Sequence, residues 1–173
     1  MKKIVLITGG SRGLGKAIAL RLAKAGYDIW ITYQSRDDRA RETQNEVEQA
    51  GAACRLLKFD IRSGEVCKET LTPLLAEQTP WALINNAGIT RDGLFIRMDE
   101  EQWNSVLATA LDGFFNVTKP VVAAMMKKKE GRVVNISSVV GLSGNAGQVN
   151  YASAKAGLIG ATKALAQEVA RRN

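Results

Sequence analysis

Short apolar runs alternate with longer segments of helical spacing along the whole chain, and few folds accept that order. The runs at 3–8, 28–33, 54–59, 81–84 and 132–136 read as five strands. The first and last are almost entirely β-branched or aliphatic, as strands covered on both faces should be. Between them, residues 13–25 carry Leu14, Ala17, Ile18, Leu22 and Ala25 at spacings of three and four, with Gly26 placed to end a helix. Segments 37–50, 65–77, 102–127 and 151–172 read as further helices, with breaks or kinks expected at Pro73 and Pro120. Strands alternating with helices predict an α/β fold of the Rossmann type, a doubly wound parallel sheet in the order 3-2-1-4-5.

With 173 residues, 46% of them hydrophobic and 24% charged, the chain has the balance of one domain with its own core, taken as 1–173. No apolar run is long enough for a membrane span, and Ile4 to Ile7 is too short for a signal-peptide core, so a cytoplasmic protein is expected. Cys54 and Cys67 belong to no metal or disulfide motif and read as small packing residues. The chain has no histidine, which removes Ser-His-Asp nucleophile systems and His-ligated zinc; no metal site is expected. A net charge of +7 favours acidic partners, but no arginine-rich arm, zinc finger or aromatic-basic strand of the nucleic-acid readers is present.

Thr8–Gly15, TGGSRGLG, falls where the first strand turns into the first helix. Glycines there let the backbone approach a pyrophosphate, and the helix start offers it free N–H groups and a positive dipole end. A dinucleotide is the implied ligand. An NAD site ordinarily closes its second strand with a carboxylate for the ribose 2′-hydroxyl. Here that strand runs into Gln34-Ser35-Arg36, and the first carboxylate is Asp37. Arg36, with Arg12 on the other side, suits a 2′-phosphate, so NADP(H) is expected.

Tyr151 and Lys155 lie four apart at the start of the last helix and so project from one face. An ammonium close to a phenol stabilises the phenolate, which eases proton release at neutral pH. The strand end Asn135-Ile136-Ser137-Ser138 delivers hydroxyls to the sheet edge that carries the glycine loop.

In these features the sequence resembles the short-chain dehydrogenase/reductase family. Thr8–Gly15 corresponds to its T-G-x-x-x-G-x-G, Asn85-Asn86-Ala87-Gly88 to its N-N-A-G, Ser138 to its serine, and Tyr151 with Lys155 to its Y-x-x-x-K. The run around SSVVGLSGNAGQVNYASAKAG is most similar to bacterial 3-oxoacyl-acyl-carrier-protein reductases. The resemblance implies Ser138, Tyr151 and Lys155 as catalytic residues. It also implies a cofactor-binding set of Thr8, Gly9, Ser11, Arg12, Gly13, Leu14, Gly15, Arg36, Asp60, Ile61, Asn86, Ala87, Gly88, Tyr151 and Lys155, with Asp60 beside the adenine. The expected reaction is NADPH-dependent reduction of a 3-oxoacyl thioester on an acyl carrier protein, in fatty-acid or polyketide-type synthesis. Lys129 and Arg172 are expected to dock the acidic carrier, and the long helices to pair the chain into a homodimer or homotetramer. The alternatives are a relative acting on another alcohol or ketone, or a non-catalytic NADP-binding subunit.

Two departures stand out. Where many relatives read T-N-L, this chain reads Thr109-Ala110-Leu111. In those relatives the asparagine's backbone carbonyl holds a relay water and its side chain supports a local helix distortion; alanine keeps the carbonyl and loses the side chain, so an impaired proton supply is expected. The family's later strands and substrate-covering loop have no counterpart after Asn173, so the domain is expected to be C-terminally incomplete.

Overall fold

Five parallel strands, β1 (Ile4–Ile7), β2 (Asp28–Tyr33), β3 (Cys54–Lys58), β4 (Ala82–Asn85) and β5 (Arg132–Asn135), form one sheet in the order β3-β2-β1-β4-β5. The computed structural model describes residues 2–172, and the side chain of Arg172 lies outside the described residues. Register explains why the central strand β1 is apolar at every position. Leu6 pairs with Trp30 and Leu83, and these three face the same side of the sheet. Their neighbours Val5, Ile7, Ile29, Ile31, Ala82 and Ile84 face the other.

The second face is covered by α1 (Gly13–Lys24) and α2 (Asp37–Gln49) through Ala19, Ala23 and Val47. The first is covered by α3 (Gly64–Glu77) and α5 (Gly113–Lys128) through Cys67, Leu71, Leu74, Val117, Val121 and Met125. Each fully buried leucine in these layers contributes about 2 kcal/mol of apolar burial. Both cysteines are buried and unpaired.

The prolines do not break their helices. Pro73 is exposed on α3, while Leu71 and Leu74 anchor the inner face. Pro120 lies within α5 between buried Val117 and Val121. The irregularity comes earlier, where α4 (Glu100–Leu107), opened by a capping box between Asp99 and Gln102, passes into a π-helical turn at Ala108–Asp112. The wider turn seats Ala110 against Ala154 and Leu158 while Gly113 packs on Ile61, where a Cβ would collide with the isoleucine. The four-residue α6 (Val140–Ser143) and the long α7 (Val149–Val169) complete the fold.

The edge strand β5 is only partly covered, with Val134 46% exposed. Apolar grooves run beside it, lined by Val122, Met125, Val133, Leu165 and Val169, and between α5 and α7 beside Phe115. No helix among the described residues is long and apolar enough to cross a membrane, and they contain no cluster of metal-ligating side chains.

Lys129 ends α5 in the left-handed region, with φ 55°. A Cβ is disfavoured there, so Lys129→Gly is expected to raise stability by about 0.5–1 kcal/mol, read as a higher melting temperature.

Candidate active site

The strand order itself opens the site. The chain leaves β1 toward β2, whereas β4 leads to the other side, so the loops after β1 and β4 diverge and leave a crevice at the strand C-terminal edge. Thr8 holds its two sides together. Its Oγ accepts the backbone N–H groups of Asn86 and Ala87, each at 3.0 Å. The Asn86 amide returns to the carbonyls of Thr8 at 2.9 Å and Gly9 at 3.2 Å.

This closeness dictates the glycines. Gly9 has φ 66°, and a Cβ on it would stand 3.0 Å from the Ala87 Cα. A Cβ on Gly15 would collide with the Gly9 carbonyl and the Asn86 amide. Gly10, which the spacing argument passes over, packs against Ile31 so tightly that alanine has no room. Its only sequence signal is that it doubles Gly9.

Beside this loop lies a cleft of 600 Å³, and a second hollow of 540 Å³ continues from it, sharing Arg12, Leu14, Asn86, Gly88, Ile89 and Arg91. Every residue of the expected cofactor set except Thr8 lines one or the other. Thr8 is 2% exposed and shapes the loop rather than the cleft wall. The cleft fits a dinucleotide: the first turn of α1 carries no carboxylate, and the space around the Gly13 Cα is open.

At the far end of the crevice from the glycine loop's outer rim, α7 presents Tyr151 and Lys155 from its first turns. Lys155 is 4% exposed and its Nζ donates to the Ile136 carbonyl at 2.7 Å, which uses one of three N–H bonds. Burial pushes its ammonium down from the usual lysine range. The Nζ lies 5.6 Å from the centre of the Tyr151 ring, and Gly88 stands next to it, so the N-N-A-G turn and the last helix meet at this lysine. Ser137 lines the hollow and donates to the Lys155 carbonyl at 2.9 Å. Ser138 follows at the turn into α6, its Oγ accepting the Val140 N–H at 3.2 Å. α6 packs on α7 so closely that a Cβ on Gly141 would touch the Lys155 backbone.

The adenosine end is crowded with ion pairs. Arg62 donates to both oxygens of Asp60, holding that carboxyl below the usual carboxylate range, and Gln34 donates to it at 2.9 Å. Arg36 is held by Asp38, while Arg12 has no acidic partner among the described residues. Arg91, which no motif marks, lines both hollows. Lys129 lies before β5, at the opposite end of that strand from Ser138, and the side chain of Arg172 is outside the described residues.

Thr8→Val keeps the shape of the side chain and leaves two partly buried N–H groups without their acceptor. It is expected to cost about 1–3 kcal/mol in a denaturant titration, whereas Thr8→Ser is expected to retain most of that stability.

The chain matches the short chain dehydrogenase family over residues 3–173. It is 47% identical to a 3-oxoacyl-acyl-carrier-protein reductase of Aggregatibacter actinomycetemcomitans, over 99% of this chain and 72% of that one. An acetoacetyl-CoA reductase of Shinella zoogloeoides is 45% identical over 99% of this chain and 70% of its own length. A 3-oxoacyl-acyl-carrier-protein reductase of Staphylococcus epidermidis is 39% identical over 99% and 71%. A likeness that runs through strands, crevice and last helix alike makes the chain a member of the short-chain dehydrogenase family, and so an oxidoreductase that works with a nicotinamide cofactor.

Proposed function

We propose that the chain is an NADPH-dependent ketoreductase that converts 3-oxoacyl thioesters carried on an acyl carrier protein to 3-hydroxyacyl thioesters. The observation that carries this reading is the meeting of Tyr151, Lys155 and the Gly88 turn at one end of the dinucleotide cleft. When bound, the cofactor supplies the hydride. Ser138 donates a hydrogen bond to the substrate carbonyl oxygen, and Tyr151 transfers its phenolic proton to that oxygen as charge develops on it. Lys155 stabilises the resulting phenolate, and its remaining N–H groups would hold the nicotinamide ribose. Thr8, through Asn86 and Ala87, keeps the two sides of the crevice at the spacing these contacts need.

Gly9, Ser11, Gly13, Leu14 and Gly15 would hold the pyrophosphate, Asp60 and Ile61 the adenine, Asn86, Ala87 and Gly88 the nicotinamide half, and Arg12 with Arg36 the 2′-phosphate. All of these residues line the cleft. That Arg12 has no carboxylate partner among the described residues supports NADPH over NADH.

Carrier docking at Lys129 and Arg172 fits the basic end of α5, Lys127-Lys128-Lys129, and the general preference of acidic partners for such surfaces. Because Lys129 stands at the far end of β5, docking there serves a cleft only across the length of the strand or on a neighbouring copy. Pairing of copies through α5 and α7 as a homodimer or homotetramer would cover Phe115, which is 56% exposed in the groove between them. The acetoacetyl-CoA reductase among the relatives supports a second reading, in which the thioester is carried on coenzyme A.

Absorbance-monitored oxidation of NADPH with a short 3-oxoacyl thioester tests the reading. Tyr151→Phe is expected to lower kcat by at least about a hundredfold while NADPH still binds, since it removes only the proton donor. Carrier-linked substrate is expected to outpace the coenzyme A thioester at low salt; the reverse order transfers the proposal to the second reading.

Ala110 sits in an apolar cluster with Val106, Ala154 and Leu158 and keeps its backbone carbonyl but has no amide side chain to support the π-helical turn, which forms without one. Ala110→Asn is expected to raise kcat several-fold without altering the Kd for NADPH. Unchanged turnover would mean that this chain supplies its proton by another path.

A further inference from the structure

Near the adenosine end Arg36, Lys58 and Arg62 are each paired with an acid, and one of those pairs involves the residue that the cofactor reading needs. Arg36 lines the cleft beside Gln34 and Ser35. Its backbone is left-handed, φ 66° and ψ 63°, a conformation uncommon for a residue with a side chain. Its guanidinium is clasped by Asp38 in a two-point contact, Nε to Oδ1 at 3.0 Å and Nη2 to Oδ2 at 2.8 Å. Lys58 is likewise held by Asp37 at 2.6 Å and Arg62 by Asp60 at 2.7 Å. Asp38 itself does not line the cleft; it approaches Arg36 from the first turn of α2.

A dinucleotide without a 2′-phosphate leaves the Arg36–Asp38 pair intact. One with it must either take those N–H groups from the carboxylate or bind beside it, and the phosphate monoester carries close to two negative charges of its own. Both partners of the pair are more than half exposed, 57% and 61%, so the clasp is weak enough to be exchanged. Its effect is a modest handicap applied to one cofactor and not to the other.

Resting on the NADPH reading above, we propose that Asp38 is a specificity-determining residue that competes with the cofactor's 2′-phosphate for Arg36 and so holds down the preference for NADPH over NADH. The competitor is covalently fixed two residues away, so the handicap is present at every cofactor concentration. It weakens with added salt, as contacts between exposed charges do.

The experiment is calorimetric titration of the chain with 2′,5′-ADP and with 5′-ADP, using wild type, Asp38→Asn, Asp38→Glu and Arg36→Ala. Asp38→Asn is expected to tighten 2′,5′-ADP by about three- to tenfold at low salt, with 5′-ADP unchanged and with the gain shrinking near ~0.5 M salt. Asp38→Glu, which keeps the charge, is expected to stay close to wild type. A purely structural role in starting α2 would shift both nucleotides together, and that outcome overturns the proposal. So does weaker binding of 2′,5′-ADP to Asp38→Asn, which would mean that the carboxylate positions Arg36 for the phosphate. If Arg36→Ala loses the preference for 2′,5′-ADP while Asp38→Asn gains none, only this proposal fails. If wild type and Arg36→Ala both bind the two nucleotides alike, the NADPH reading fails and takes the proposal with it.

Discussion

The hydroxyl of Thr8 joins the two loops on which the crevice depends. A parallel sheet that is wound from the middle outwards must part its loops at the switch point, and parted loops expose backbone groups that water would otherwise claim. Thr8 takes two of those N–H groups from the Asn86 turn, and the Asn86 amide takes two carbonyls from the glycine loop. The exchange draws the loops so near that Gly9 and Gly15 have no space for a side chain. Glycine therefore leaves the backbone open on the outer side at Gly13 and allows contact with a neighbouring loop on the inner side at Gly9 and Gly15.

From that junction the rest of the site follows by packing. Gly88 ends the turn beside Lys155, and Lys155 is fixed by the Ile136 carbonyl at the end of β5. One lysine thereby ties the last strand, the N-N-A-G turn and α7 together. A nearly buried ammonium with one protein acceptor is costly unless another group shares it, and in a family of nicotinamide oxidoreductases the ribose and the tyrosine are the natural partners. The same economy governs the adenosine end. There Arg36 and Arg62 of the cleft wall are committed to neighbouring carboxylates, so a ligand that needs either must exchange with its acid.

The alternation of strands and helices, the sheet order and the three motifs were legible because each reports a local need: an apolar run for a strand covered twice, glycines for a close approach, and a four-residue spacing for one helix face. The prolines were misleading. Pro73 and Pro120 each remove one helical hydrogen bond, but Leu71, Leu74, Val117 and Val121 bury enough surface to carry the helices through. The real distortion, at Ala108–Asp112, has no glycine or proline at its centre; it arises because Ala110 and Gly113 must meet different neighbours, α7 and Ile61. Gly10 and Arg91 went unmarked for a related reason, since the partners that define them, Ile31 and the cleft walls, are distant in sequence.

The sequence by itself determined the fold class and the family, and it marked the glycine loop, Tyr151 and Lys155, which line the crevice, because periodicity and motif spacing are properties of neighbouring residues. Only the tertiary structure decided how those side chains are engaged. Thr8 is turned inward to brace a turn, Asp60 is taken by Arg62 and Gln34, Arg36 is shared with Asp38, and Lys129 is set at the opposite end of β5 from Ser138. The reason is that hydrogen bonds and ion pairs between loops depend on distances that folding alone creates.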